Sequence, residues 1–277
     1  MRAGAAALAV LLAVAAAPAL ARAPRLHEPV PTRPAEMAAA LAEVSAGLDD
    51  AVDRWRENGD PSVGGPPREV LLHALYQQRL LRTLARRPAQ TSAVLKRLPR
   101  PLAAEVRDVV IARRGVERIT PLATRGRLRI GPPAPADDLR AHYLEAQRRF
   151  GVPWHVLASV NFVESGFGRV QSASAAGARG PMQFLPATWG AYGLGGDVHD
   201  PRDAILGAAN LLRASGAPGD LRGALFAYNR STRYVDAILR YAGHMRHDVR
   251  AYYGYYSWQA FMRTPGGDVR LTGPGHD

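Results

Sequence analysis

The chain has 277 residues, of which 47% are hydrophobic, and its formal net charge is +12. This length and composition allow one or two domains with a buried apolar core. No cysteine occurs, which excludes disulfide bonds, thiol catalysis, cysteine-ligated metals and a lipid anchor attached to cysteine.

The first 21 residues have the organisation of a secretory signal peptide. Arg2 provides a short positive segment, Ala5–Ala17 an apolar core, and Ala19–Ala21 a cleavage site of small residues. The sequence thus predicts an exported protein, located in the periplasm or at the cell wall. An uncleaved membrane anchor is the alternative, because the apolar run reaches the lower length limit for crossing a bilayer. No other segment of the sequence predicts a membrane span.

The positive charge comes almost entirely from arginine, since Lys96 is the only lysine. Nucleic-acid binding is the usual first interpretation of such a charge, but no motif combines aromatic and basic residues as nucleic-acid binders do. We therefore expect no nucleic-acid partner. An anionic polymer of the cell envelope fits an exported basic protein better, and a solvated basic surface without a specific partner is the alternative.

Apolar residues at helical spacing dominate the rest of the chain, and no convincing strand-like alternation extends over four or more residues. The predicted fold class is therefore all-α, with a lysozyme-like catalytic domain preceded by an N-terminal helical region. One predicted helix begins after an N-cap at Asp137 or Asp138 and ends at residue 150, and the next runs from residue 153 through Glu164. The other predicted helices occupy residues 35–57, 68–86, 93–98, 102–113, 201–215, 221–228, 232–247 and 249–262. The predicted parts are a proline- and arginine-rich linker at 22–34, the N-terminal helices at 35–120, the catalytic domain at 130–263 and a flexible tail at 264–277.

Glu164 is the residue with the clearest chemical potential. Val156, Val160 and Glu164 fall on one helical face, and glycines at 166 and 168 end the helix beside the carboxyl group. A carboxyl group aligned with core residues is partly desolvated, which disfavours its charged form and raises its pKa. An acid that stays protonated near neutral pH can act as a general acid. A glutamate that simply reaches water from a helix end is the alternative.

Three motifs in order carry a family resemblance: Glu164–Phe167 (ESGF), Ser174–Gln183 (SAAGARGPMQ) and Ala227–Asn229 (AYN). They resemble the soluble lytic transglycosylases with an SLT domain, which are goose-lysozyme-like enzymes that cleave peptidoglycan. That family reads Glu-Ser-x-Phe, then Ser-x-x-Gly-Ala-x-Gly-Leu-Met-Gln, then Ala-Tyr-Asn. The resemblance covers residues 137–260, and Pro181 departs from it because the family usually has leucine there.

The resemblance implies cleavage of the β-1,4 bond between N-acetylmuramic acid and N-acetylglucosamine in peptidoglycan glycan strands. Glu164 would protonate the leaving oxygen, and its carboxylate would then take a proton from the 6-hydroxyl of the sugar, which closes a 1,6-anhydro ring. Tyr228 would help to position the acid or the substrate's acetamido group, and Phe167 would mainly pack at the cleft floor. The implied substrate-binding residues are Ser174, Gln183, Tyr228, Asn229, Phe167 and Met182.

Conventional glycosidases use two carboxylates, and the candidates for a second one are Asp197, Asp200 and Asp203. Asp200 precedes Pro201 at a predicted helix start, so we expect it to cap that helix. A single acid/base therefore fits better than a pair. A goose-type muramidase that hydrolyses the same bond and a non-catalytic scaffold that binds the cell wall are the alternatives.

Two further clusters have structural interpretations. His244 and His247 are three residues apart, but no further ligand stands at a usual spacing, so we expect no metal site and no cofactor. The aromatic run Ala251–Trp258 could stack on sugar rings, but helical spacing of this kind is more typical of core packing. The N-terminal helices contain no reactive cluster, and support or spacing is their expected role.

Overall fold

The computed structural model describes residues 22–121 and 128–275. Within these ranges the chain forms eleven helices and one two-stranded sheet, which confirms the predicted all-α fold class. The expected signal peptide at 1–21 lies outside the described residues. In the described part, no helix combines the length and apolarity that a bilayer span requires.

The elements are α1 (Pro34–Asn58), α2 (Arg68–Arg86), α3 (Pro88–Leu95), α4 (Arg100–Ile119), α5 (Ala136–Phe150), α6 (Trp154–Ser165), α7 (Pro186–Tyr192), α8 (Pro201–Ala214), α9 (Leu221–Tyr228), α10 (Thr232–His247), α11 (Val249–Tyr256), β1 (Phe261–Thr264) and β2 (Gly267–Arg270). Most helix positions agree closely with the apolar periodicity. The short α7 was not predicted, and α4 extends further at its C-terminal end than the sequence indicated.

The N-terminal helices share a core with the rest of the molecule. Helix α1 buries Leu41, Val44, Leu48 and Val52, which are the residues whose spacing predicted it. Helix α4 packs along α10, and the buried residues of both belong to one continuous apolar cluster. This packing gives the N-terminal helices a fixed position beside the segment that contains Glu164.

The segment predicted as a linker runs along α2. The Tyr76 hydroxyl donates a hydrogen bond to the carbonyl of Pro29 at 2.9 Å, and the Arg79 guanidinium donates to the carbonyl of Glu28 at 2.8 Å. Backbone carbonyls of residues 22–33 are thus bound by side chains of the N-terminal helices, although the segment itself forms no helix.

The aromatic run near the C-terminus lies in the core, which confirms its structural interpretation. Exposure is at most 4% for Tyr252, Tyr253, Tyr255, Tyr256 and Trp258. Tyr252 packs edge-on against Trp154, with ring centroids 5.9 Å apart, and its hydroxyl donates to the carbonyl of Ala136 at 2.7 Å. Because these rings contact α5 and α6, they help to fix the helix that carries Glu164.

Three local predictions were wrong. The last predicted helix, 249–262, ends at Tyr256, and residues 261–262 belong to β1. Pro135, which provides no side-chain cap, is the N-cap of α5, while Asp137 and Asp138 lie inside its first turn. Acidic side chains there still interact favourably with the helix dipole. The segment from residue 264, which was expected to be flexible, contains β2, and this strand pairs antiparallel with β1. Each strand has only four residues, which is too short for alternation to be recognised.

A buried polar cluster fixes α6 against the loop that follows it. Asn161 accepts a hydrogen bond from the Tyr143 hydroxyl and donates one to the carbonyl of Pro181, both at 2.8 Å. The Ser165 hydroxyl donates to the same carbonyl at 2.6 Å and accepts from the amide of Gly168 at 2.8 Å. Pro181, the residue that departs from the family pattern, therefore contributes its carbonyl as an anchor of the loop.

We expect Asn161→Ala to lower the free energy of unfolding by about 2–4 kcal/mol, because it leaves the Tyr143 hydroxyl without its acceptor and weakens the tether to the Pro181 carbonyl. Urea denaturation measures this change. Asn210→Ala is the control, because the half-buried Asn210 makes a single amide hydrogen bond, to the carbonyl of Tyr192 at 3.1 Å. Equal losses in the two variants would contradict a special role for the cluster.

Candidate active site

Glu164 lies in the last turn of α6 and is partly buried. The helix ends at Gly166, whose φ of 62° is the left-handed conformation that glycine adopts without strain. Burial raises the pKa of Glu164 to about 7, while a hydrogen bond from Tyr234 acts in the opposite direction. The protonated and ionised forms are therefore both well populated near neutral pH, as a group that first donates and then accepts a proton requires.

Two parallel tyrosines connect Glu164 to the neighbouring loop. The Tyr234 hydroxyl donates to Oε1 of Glu164 at 2.7 Å, and the Tyr228 hydroxyl donates to the carbonyl of Met182 at 2.7 Å. The two rings are 6.4 Å apart and nearly parallel, at 4°. Burial raises the pKa of both phenols well above the ordinary value, so they remain neutral donors.

Tyr234 is the residue that sequence reasoning missed. The motif places weight on Tyr228, but the phenol that contacts the carboxyl group comes from the start of α10, where the Ser231 hydroxyl caps the helix. The only available signal was a second tyrosine shortly after the Ala-Tyr-Asn motif. Its contact with Glu164 depends on how α10 packs against α6, which local spacing does not reveal.

The loop of the second motif has a demanding backbone. Residues Arg179 and Phe184 exchange backbone hydrogen bonds at 2.8 and 2.9 Å, which closes a tight turn. Gly180 has a φ of 72°, and a side chain there would collide with the carbonyl of Val198. Gln183 adopts a φ of 51°, and its side-chain amide donates a hydrogen bond to the carbonyl of Gly180 at 3.0 Å. A positive φ is uncommon for a residue other than glycine, and the hydrogen bonds of the surrounding turn hold Gln183 in this conformation.

Phe167 and Met182, two of the implied substrate-binding residues, are buried at 1% and 0% exposure. Phe167 stacks on Phe162 with centroids 5.4 Å apart, as its expected packing role requires. The Met182 side chain lies in the apolar core, and its carbonyl is occupied by Tyr228. Burial leaves neither side chain a surface to offer a glycan, so their presence in the motifs has a structural cause.

Ser174 and Asn229 have different environments. Ser174 is exposed, and its hydroxyl accepts from the amide of Ala178 at 3.1 Å, which stabilises the loop. Asn229 ends α9 and is half-buried, and its side-chain amide makes no hydrogen bond to any described residue. Of these two residues, Asn229 therefore has the freer donor and acceptor for a ligand.

A cleft of about 320 Å³ reaches Glu164. Its other walls come from α2, from α4 and from the region of the C-terminal hairpin, including Arg113 and Phe261. Ser174, Gln183, Tyr228 and Asn229 do not line this space. Glu164 thus lies between two parts of the molecule. On one side the tyrosine pair links it to the loop of the second motif (Ser174–Gln183, the motif loop), and on the other side is a cleft that the N-terminal helices help to form.

The other acidic candidates have structural roles. Asp200 caps α8 by accepting from the amide of Asp203 at 2.9 Å, which confirms its predicted role. Asp203 in turn accepts from the amide of Asp197 at 3.0 Å. Across residues 22–121 and 128–275, no group of three or more histidine, aspartate or glutamate side chains is placed to hold a metal ion. His244 forms a 2.7 Å hydrogen bond with the Tyr255 hydroxyl.

Comparison with known proteins agrees with this arrangement. Residues 142–249 match the family model described as the Transglycosylase SLT domain. The chain is 37% identical over 75 residues to the membrane-bound lytic murein transglycosylase F of Thiobacillus denitrificans, and the alignment covers 27% of this chain but only 16% of that relative. No solved structure gives a significant match. The matched segment contains Glu164, both tyrosines and the motif loop. The match confirms the resemblance found in the sequence, because residues 142–249 are similar to the transglycosylase SLT domain.

Proposed function

We propose that the protein is an exported peptidoglycan lytic transglycosylase, with Glu164 as its single general acid/base. It cleaves the β-1,4 bond between N-acetylmuramic acid and N-acetylglucosamine and leaves a 1,6-anhydro end. The observation that carries this proposal is a partly buried carboxyl group with a pKa near 7. It lies in the segment that matches the SLT domain and borders a cleft that α2, α4 and the C-terminal hairpin help to line. The predicted signal peptide and the name of the partial relative support export and a murein substrate.

The proposed reaction returns the enzyme to its starting state without water. Glu164 gives its proton to the glycosidic oxygen as the bond from this oxygen to C1 of N-acetylmuramic acid breaks. The resulting carboxylate takes the proton of the 6-hydroxyl on the same sugar, and that oxygen forms the new bond to C1. A pKa near the working pH suits both steps, because neither proton transfer is then strongly uphill.

Tyr234 is the proposed positioning residue for this acid. Its hydroxyl holds Oε1 of Glu164 at 2.7 Å, which leaves the second carboxyl oxygen available for the proton transfer. A hydrogen bond to the carboxylate also stabilises the ionised form. Tyr228, Gln183 and Asn229 remain the proposed glycan ligands on the other side. Ser174 is also a proposed glycan ligand, because it lies exposed on this loop. Phe167 and Met182 are buried and support the fold of the loop instead.

Product analysis separates this reaction from its alternatives. Purified peptidoglycan is incubated with the mature protein, and soluble products are examined by mass spectrometry. We expect products one water lighter than those of hydrolysis. Reducing ends would instead indicate a muramidase, and binding without any soluble product would indicate a scaffold.

Glu164→Gln should lower kcat by at least about 10²-fold, because it removes the group that both gives and takes the proton. Glu145→Gln is the matched control, since Glu145 is a surface residue of α5 in an ion pair with Arg202. The control should retain activity. Undiminished activity of Glu164→Gln would contradict the assignment.

Stability should depend on pH through Glu164. In the unfolded chain the group ionises near its ordinary pKa of 4.5, whereas in the folded protein it ionises near 7. The folded state therefore binds more protons between these values, and wild-type stability falls as pH rises through this range. Relative to wild type, Glu164→Gln should gain about 1–3 kcal/mol between about pH 4 and pH 8.

Urea denaturation at several pH values measures this difference. Glu145→Gln again serves as the control, because hydrogen bonding to Arg202 lowers the pKa of Glu145 and the sign of its contribution is opposite. A stability difference for Glu164→Gln that stays constant with pH would show that Glu164 has an ordinary pKa.

Tyr234→Phe should shift the basic limb of the kcat/KM profile to higher pH. In the wild type the hydrogen bond from Tyr234 lowers the pKa of Glu164, so its removal should raise that pKa. We also expect the maximal rate to fall about tenfold, as the loss of one positioning hydrogen bond predicts. Tyr228→Phe is the matched control: it removes a buried hydroxyl bound to Met182 and should leave the limb in place. Equal shifts in both variants would contradict a specific role for Tyr234.

A further inference from the structure

A groove of about 510 Å³ lies between α3 and α4, on the surface of the N-terminal helices. It is outside the segment that matches the SLT domain, and the chemistry proposed above uses none of its residues. We refer to it as the α3–α4 groove. Its charged lining residues are Lys96, Arg107 and Arg114, and its apolar ones include Leu95, Val110 and Ile111.

Every charged side chain that lines the α3–α4 groove is positive. Lys96, the C-cap of α3, and Arg107 of α4 are exposed, and neither forms an ion pair with a described residue. They stand on opposite walls of the groove, since one belongs to the end of α3 and the other to α4. A ligand in the groove would therefore meet free cations on both sides.

The carboxylates of α4 do not compensate this charge. Helix α4 contains Glu105, Asp108 and Glu117, and none of them lines the groove. Asp108 pairs with Arg240 of α10, and Glu117 pairs with Arg113. Glu105 borders a small cavity on the side of α1. The acidic side chains thus serve contacts within the protein, and the α3–α4 groove keeps its positive charge.

The positive charge continues along α4 beyond the groove. Arg100, Arg107 and Arg114 follow one another at seven-residue steps, and Arg118 comes one turn later. Residues at these spacings share one face of a helix. At the rise of an α-helix, the row from Arg100 to Arg118 extends over about 27 Å. Arg100 and Arg118 are exposed like Arg107, so α4 presents a long row of guanidinium groups to solvent.

Arg114 differs from the other cations because it fixes the geometry of the groove. Its Nε donates to the carbonyl of Ala85 at 2.7 Å, and its Nη2 donates to the carbonyl of Leu84 at 3.0 Å and to the Thr91 hydroxyl at 3.2 Å. These contacts bind α4 to the last turn of α2 and to α3. The two walls of the groove therefore have a set separation, and the free cations need no rearrangement to meet a ligand.

The α3–α4 groove also has an apolar part. Val110 is buried, whereas Ile111 is 38% exposed and lies on the arginine row, between Arg107 and Arg114. Unpaired cations around an exposed apolar side chain match the surface of an anionic phospholipid layer. The phosphates pair with the cations, and the apolar side chain enters the glycerol and acyl region. A soluble polyanion would use the same cations but would gain nothing from Ile111, so the groove favours a lipid surface.

We propose that the α3–α4 groove and the arginine row of α4 bind the headgroups of anionic phospholipids, so that the protein attaches peripherally to a membrane surface. The inference goes beyond the proposed function and does not depend on it, because lipid binding requires no cleavage of a glycan. It also gives the N-terminal helices a role of their own, since α3 and α4 supply all the residues of this surface.

Co-sedimentation of the mature protein with phospholipid vesicles tests this inference. The wild type should bind vesicles that contain phosphatidylglycerol, should bind vesicles of phosphatidylcholine alone far more weakly, and should lose affinity as salt screens the charges. The double variant Lys96→Gln/Arg107→Gln should bind the anionic vesicles about 25-fold more weakly, because each cation close to an anionic surface contributes about fivefold. Both side chains are exposed, so the variant should unfold at the wild-type urea concentration.

Arg148→Gln/Arg149→Gln is the matched control. It removes the same charge from two exposed residues of α5, away from the groove, and should keep the wild-type affinity. An equal loss in both double variants would mean that only the net charge of the protein attracts the vesicles, and the inference would be wrong. Equal binding of anionic and neutral vesicles by the wild type would also overturn it, while leaving the proposed function intact.

A third variant distinguishes a lipid surface from a soluble polyanion. Ile111→Gln keeps every charge and should weaken vesicle binding about threefold, because it removes the apolar contact. Poly(glycerol phosphate) and polyglutamate are titrated in parallel by calorimetry. Binding of either polymer that depends on Lys96 and Arg107, without binding of the vesicles, would mean that the groove recognises a phosphate polymer or an acidic peptide, and the inference would be wrong.

Discussion

The site depends on one constraint, which is that a carboxyl group at the end of an apolar helix must stay partly out of water. Helix α6 is buried along most of its length, so Glu164 emerges where the core ends. Burial raises its pKa, and the hydrogen bond from Tyr234 limits the increase. If Glu164 were fully exposed it would be ionised at neutral pH and would have no proton to give. If it were buried without Tyr234, it would hold its proton too firmly to exchange it.

Several features of the fold maintain this balance. Asn161 and Ser165 fix the Pro181 carbonyl to α6, and the Tyr228 hydroxyl fixes the next carbonyl along the chain. The motif loop therefore cannot move away from Glu164 without exposing several buried polar groups, each of which would cost free energy. From the opposite side, α4 packs along α10, the helix that carries Tyr234. The N-terminal helices thus stabilise the position of the phenol that donates a hydrogen bond to Glu164.

The sequence predicted most of the helices and the partly buried position of Glu164 well, because both depend on local patterns. Apolar spacing located α1, α2 and α10, and the glycine after Glu164 located the end of α6. Motif membership was less informative about contacts. It could not distinguish Asn229, whose amide is free for a ligand among the described residues, from Met182, which is buried. Both are motif residues, but Met182 shapes the loop whereas Asn229 borders solvent.

What the sequence could not predict arises from contacts between distant segments. Tyr234 reaches Glu164 across 70 positions in the chain, and Arg82 meets Asp268 between α2 and the C-terminal hairpin. The hairpin itself has four-residue strands and carries no usable alternation. Such contacts follow from helix packing, which depends on all the apolar faces together. Local spacing therefore located Glu164 at the end of an apolar helix, but not the groups that control its pKa.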